Sequence, residues 1–203
     1  MAMTRSDIGP RRLEAFSDGV IAIIVTIMVL ELKLPEHVAD KGLLNGLLVP
    51  MSPKLVSYAM SFLVVAIMWV NHHAPMATVR HATRAILWQN NHLWMSLIPF
   101  ATNFLGENPR PADAYAVYGF VLAASAAAFA SLRWLASTQG RDDQALARVH
   151  RTVLSKSLLG TFLYALSVPL AYLSIFAAIA IFIAVPVMFF LPIFAPRVDL
   201  QSD

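Results

Sequence analysis
Apolar residues in this 203-residue chain gather into six long runs, near residues 12–32, 54–75, 84–106, 113–137, 152–174 and 175–196. Each is close to the about 20 residues that a helix needs to cross the hydrocarbon core of a bilayer. That core offers no water to backbone amides, so a spanning segment must bond them internally. The runs also lack the alternation over about ten residues that marks a barrel strand. Composition agrees, with 58% hydrophobic and 13% charged residues, against about 25% charged in an ordinary soluble domain. The chain reads as an all-α integral membrane protein, one six-helix membrane domain over residues 1–203. Its connections are marked by helix breakers: Pro35, Pro50 and Pro53 in the first, Pro109 and Pro111 in the third, and Gly140-Arg141-Asp142-Asp143 in the fourth. The last two runs are nearly continuous, and Pro169, Pro186 and Pro192 are expected to kink them or move their boundary.

The charges set the orientation. Assigning alternate connections to opposite faces places Arg5, Arg11, Arg12, Arg80, Arg84, Arg133, Arg141, Arg148, Arg151, Lys156 and Arg197 on one side. Lys33, Lys41, Lys54 and Arg110 fall on the other. Basic residues accumulate on the cytoplasmic side, so both termini are expected in the cytoplasm of a multi-pass protein of the cell membrane. The small net charge of +3 is explained by this topology and gives no reason to expect nucleic acid. The first run follows basic residues as a signal sequence would. It is long, is interrupted by Asp18 and has no small-residue cleavage pattern after it, so it reads as a retained span.

Most chemistry is excluded by what the residues lack. There are no cysteines, hence no disulfides, thiolate metal sites or thiol catalysis. His72, His73, His81 and His92 crowd together in sequence, yet no pair stands at i, i+3 or i, i+4, and no His-Glu-x-x-His motif occurs. A resident metal, a cofactor and an enzymatic activity are therefore not expected. The carbonyl-cage filter of the Thr-Val-Gly-Tyr-Gly kind is also missing, and no duplication relates the first three runs to the last three. The fourth run is rich in alanine (Ala123, Ala124, Ala126, Ala127, Ala128 and Ala130), which lets helices approach closely in lipid.

The first run carries the most information. At about 100° per residue, Ile27 lies about 40° from Ile23 and Leu30 about 20° to the other side. Ile23, Ile27 and Leu30 thus form one narrow stripe, prolonged by Gly19 and flanked by Thr26. Such a stripe packs on lipid or helices unless something else assigns it a task. Asp18 stands about 140° away. A carboxylate inside a span is costly and calls for a partner. Trp69, Asn71, His72 and His73 end the second run, and Trp88, Asn90, Asn91 and His92 lie in the third at the same depth. An imidazole or amide donor to Asp18 is expected there, tying three helices into a cluster that is either structural or concerned with gating or proton sensing. Arg12, near the stripe line, either faces the mouth or binds Asp18.

These residues also carry a resemblance. Arg12-x-x-x-Phe16-Ser17-Asp18, followed by Ala22-Ile23-x-x-Thr26, resembles the signature of the transmembrane protein 175 family of potassium channels, bacterial members above all. Trp69-x-x-His72, Asn90 and Pro99-Phe100 are similar to further family features. The resemblance implies a homotetramer in the lipid bilayer, one six-span unit per chain, with the first helix of each subunit lining a central pore for monovalent cations. It implies a constriction at Ile23, seven residues after Phe16, then layers at Ile27 and Leu30 and a threonine layer at Thr26. Ile27 is isoleucine where leucine is familiar in bacterial members. Rings at these positions would stack about 6 Å and 4.5 Å apart, and an ion passing apolar rings must shed water, which potassium does more cheaply than sodium. The function implied is a potassium-preferring, leak-like channel with a hydrophobic constriction. The alternative is a proton-conducting channel or proton-coupled transporter using Asp18 and His72.

Overall fold
The computed structural model describes residues 10–35, 42–79, 83–90, 92–138 and 144–190. Among them backbone amides are bonded within helices and no strand occurs, as a hydrocarbon solvent requires. Helix α1 is Pro10–Leu30. Helix α2 is Val49–Thr78, entered through a π-helical stretch, Leu43–Leu48. The third apolar run forms three pieces, α3 (Arg84–Gln89), α4 (Leu93–Ser96) and α5 (Ile98–Glu107). Then come α6 (Ala112–Ser137), α7 (Gln144–Leu173) and α8 (Ile175–Phe190).

Among the described residues, four segments are long and apolar enough to cross a membrane: Arg11–Leu30, Leu43–His73, Ala112–Ser137 and Thr152–Leu173. Helix α8 is apolar and shorter, at 16 residues. Residues 191–196, expected in the last span, lie outside the described residues, as do His81 and Asn91.

Two expectations are corrected. Pro50 and Pro53 do not end a connection; both lie within α2. Pro50 occupies the first turn of α2, directly after the π-helical stretch. Pro53 deprives the Val49 carbonyl of its donor, and the Ser52 hydroxyl donates to that oxygen instead at 2.8 Å. The same logic operates near the other end of α2. Pro75 leaves the carbonyl of Asn71 without its helical donor, and Arg133 of α6 donates to it through Nη2 at 2.9 Å.

The second correction concerns the run 84–106, which is broken rather than continuous. Thr83 caps α3 by accepting from the Ile86 amide. Asn90 then turns out of the helix with its side chain wholly buried, and His92 adopts a left-handed conformation, φ 56°. Polar side chains that can bond elsewhere loosen a helix locally, and here Asn90 bonds to α1 and α2.

The main core gathers Ile21, Ile24 and Met28 of α1, Val64, Val65 and Met68 of α2, Ile98 and Ala101 of α5, Tyr118 and Leu122 of α6, and Phe182 of α8. A second cluster at the Arg12 end holds Leu13, Met76, Val79, Ile86, Leu132 and Ala136. Helices α6 and α7 approach so closely at Gly119 that a Cβ there would collide with Ser167 Oγ. Small residues give lipid-embedded helices this close contact.

Candidate functional site
Helix α1 has one face packed against the rest of the chain and one exposed. Leu13, Ser17, Ile21, Ile24 and Met28 are all at most 4% exposed and follow the three-to-four spacing of a packed face. The stripe read from the sequence lies on the other side. Ile23 is 58%, Ile27 40% and Leu30 75% exposed, and Phe16, Gly19 and Thr26 are exposed with them. Thr26 turns its hydroxyl proton back onto the Ile23 carbonyl at 2.9 Å, which leaves the oxygen lone pairs free to accept.

Polar contacts hold this helix in rotation. Asn90 Nδ2 donates to Ser17 Oγ at 2.8 Å and lies 3.4 Å from the Leu13 carbonyl. Its Oδ1 is therefore the acceptor for His72 Nε2 at 2.8 Å. That assignment fixes the His72 proton on Nε2 and leaves Nδ1, which is buried and unpartnered, as a bare lone pair. Ser17 in turn donates to Leu13 O at 3.0 Å. Three helical segments are thus joined around one buried amide.

On the exposed side of this knot, Trp69 Nε1 donates to Asp18 Oδ1 at 2.9 Å. The expected imidazole or amide donor is replaced by an indole. An indole N–H suits the position because it can donate but never accept. One turn away on both helices, His73 Nδ1 meets Glu14 Oε1 at 2.8 Å. Glu14 was not anticipated, although a signal existed: Glu14 and Asp18 are four apart, Trp69 and His73 are four apart, and antiparallel helices pair such spacings in reverse order. Arg12 is exposed, and among the described residues no bond joins it to Asp18. Asp18 and His72 likewise share no direct hydrogen bond; they belong to adjacent clusters.

Two other polar features complete the interior, one outside the cluster that depth matching predicts and one within it. Thr102 Oγ1 lies 2.7 Å from both Ser61 Oγ and the Ile98 carbonyl, and Ser61 Oγ lies 2.8 Å from Tyr118 Oη, all buried in the middle of the bundle. The His92 ring lies tilted against that of His72, centroids 5.3 Å apart, and its Nε2 is buried with no partner. The Ser61, Thr102 and Tyr118 chain joins residues far apart in sequence, so no local pattern reveals it, whereas the nearness of His72 and His92 follows from their common depth.

Comparison with known proteins identifies this arrangement. The family described as "Endosomal/lysosomal potassium channel TMEM175" matches residues 12–100, the stretch that contains the whole polar brace. A potassium channel of Streptomyces collinus is 37% identical over 171 residues, 80% of this chain and 82% of that one. A potassium channel of Chamaesiphon minutus is 32% identical over 187 residues, 88% and 92% of the two chains. The human endosomal/lysosomal proton channel TMEM175 is 38% identical over 81 residues, 36% of this chain and 16% of the human one. The crystal structure of a lysosomal potassium-selective channel TMEM175 homolog from Chamaesiphon minutus superposes with a TM-score of 0.75 at 30% identity, covering 89% of this chain and 95% of that one. With its motif on α1, its brace from α2 and Asn90, and relatives matched over most of their length, the chain is a multi-pass membrane protein belonging to the TMEM175 potassium channel family.

Proposed function
We propose that this protein is a potassium-preferring, leak-like channel of the cell membrane. Four copies of the chain, each with six spans and cytoplasmic termini, surround a central pore lined by α1. The observation that carries the reading is the division of α1 into a face locked into its own subunit and an aliphatic face left outside it. Ile23, Ile27 and Leu30 form successive apolar rings, Ile23 the narrowest. Branched methyls dewet such a constriction, so a cation passes only by giving up part of its hydration, at less cost for potassium than for sodium. Thr26, with its hydroxyl proton spent on the helix backbone, offers lone pairs that replace some of that lost water. Ser17, Asp18, Trp69, His72 and Asn90 do not touch the ion; they hold the helix at the rotation that aims the stripe. Phe16 and Arg12 lie on the stripe side, at the mouth. The relatives named as potassium channels support the choice of ion, and no cofactor is required beyond the permeant potassium itself.

The human relative named a proton channel favours a second reading, in which protons cross by way of Asp18 and His72. Liposome flux separates the two. Ile23→Asn is expected to raise potassium flux and to lower preference over sodium, read as a shift in reversal potential. Unchanged flux in polar variants of Ile23, Ile27 and Leu30, combined with proton flux abolished by Asp18→Asn, would reverse the assignment.

A further inference from the structure
Arg133 lies four residues before the end of α6 and is only 6% exposed. Its Nη2 occupies the carbonyl that Pro75 leaves free, and its guanidinium carbon sits 5.2 Å from the Phe129 ring centroid. Nε is buried with no partner, and among the described residues no carboxylate pairs with the group. A guanidinium stays protonated, and a charge in a membrane segment is met by an opposite charge or by backbone carbonyls; the Asn71 carbonyl meets Nη2 and leaves Nε without an acceptor. Beside it is a cavity of about 40 Å³ between α2, α6, α7 and α8. Arg133, Asn71 and Ser157 make its polar walls, whereas Met68 and Val64, about one and two turns deeper on α2, Tyr164 and Phe189 are apolar or largely so.

We propose that this cavity receives the phosphodiester of an anionic phospholipid, with Arg133 Nε as donor to a phosphate oxygen and the acyl chains running along the apolar walls. The depth fits: four residues correspond to about 6 Å from the end of α6, the level of headgroups, and basic pockets between spanning helices bind such groups. The volume admits more than one water-sized group, which a pair of phosphate oxygens fills. A lipid source is favoured over a soluble anion because the walls below Arg133 are apolar and match hydrocarbon. This assignment does not depend on which ion the protein conducts.

Native mass spectrometry of the full chain in detergent, titrated with phosphatidylglycerol, phosphatidylcholine or inorganic phosphate, tests it. One tightly held phosphatidylglycerol per chain is expected, retained in preference to phosphatidylcholine and not displaced by inorganic phosphate. Arg133→Gln should weaken retention about tenfold, the loss of a charge-assisted hydrogen bond. Because Arg133→Gln also frees the Asn71 carbonyl and can impair folding, Ala126→Leu provides a second arm. It narrows the cavity from the α6 wall, keeps the guanidinium and should lower retention as well. Equal retention by wild type and both variants, or equal retention of the two lipids, would overturn the proposal. Displacement by inorganic phosphate would show a soluble-anion site instead and overturn it too.

Discussion
The two halves of this bundle are held together by different physics. Helices α1, α2 and α3 are joined by side-chain hydrogen bonds that converge at the Arg12 end: Asn90 with Ser17 and His72, Trp69 with Asp18, and His73 with Glu14. Helices α6 to α8 rely on shape. Among their described residues, the direct side-chain hydrogen bond between them is Tyr172 to Asp113, at an exposed end, while Gly119 lies against Ser167 and Gly160 against Phe189. Directional bonds demand particular residues at particular places, whereas close packing asks only for small ones. The family pattern covers residues 12–100 and stops before α6, so the half joined by directional side-chain bonds is also the half that carries the family pattern.

If that contrast is right, the largest loss of stability should come from Asn90→Leu. It leaves the His72 Nε2 proton without an acceptor in the interior and takes from Ser17 Oγ the donor it receives, and a buried group left unmade costs about 1–3 kcal/mol. A thermal melt in detergent should fall by the most of any variant here, and a melt within a degree or two of wild type would break the comparison. Next comes the packed half. Gly119→Ala places a methyl against Ser167 Oγ and should cost about 1–3 kcal/mol by overpacking. The double change Gly119→Ala with Ser167→Ala should recover part of that loss, as expected for a steric rather than a bonding contact.

Smaller effects sharpen the picture on the exposed side of the brace. Trp69→Phe removes the indole donor to Asp18 and keeps most of the ring; about 1 kcal/mol should be lost, since the pair is partly solvated. Its signature is functional as well as thermal, because α1 loses one of its rotational stops and ion preference should loosen. The smallest effect belongs to His73→Gln. His73 and Glu14 are 46% and 39% exposed in their side chains, so their coupling in a double-mutant cycle should be about 0.5 kcal/mol or less and should shrink with added salt. A coupling above that of Trp69 with Asp18 would reverse the ranking.

Much of the site could be read before any coordinates. The stripe Ile23, Ile27, Leu30 follows from helical spacing alone, and depth matching brought Trp69, His72 and Asn90 to the level of Asp18. What failed did so for identifiable reasons. Pro50 and Pro53 were read as breakers, because a proline's local effect is legible whereas a neighbour that compensates it, Ser52 here, is not an obvious partner in sequence. The run 84–106 was read as one helix, because its hydropathy is continuous. Its interruption comes from Asn90, whose bonds to Ser17 and the Leu13 carbonyl reach back more than seventy residues.

The sequence by itself determined that this chain lives in a bilayer, that its helices run where apolar residues accumulate, and that α1 has a branched aliphatic stripe turned away from the side that bears Asp18. Those properties depend on period and composition, which local order along the chain encodes. Only the tertiary structure decided which donor each acceptor receives: an indole for the partly exposed Asp18, an amide for the buried Ser17, a guanidinium for the carbonyl that Pro75 leaves open. In a medium without water every such group must find its partner within the protein, and which one lies within reach depends on how distant helices pack.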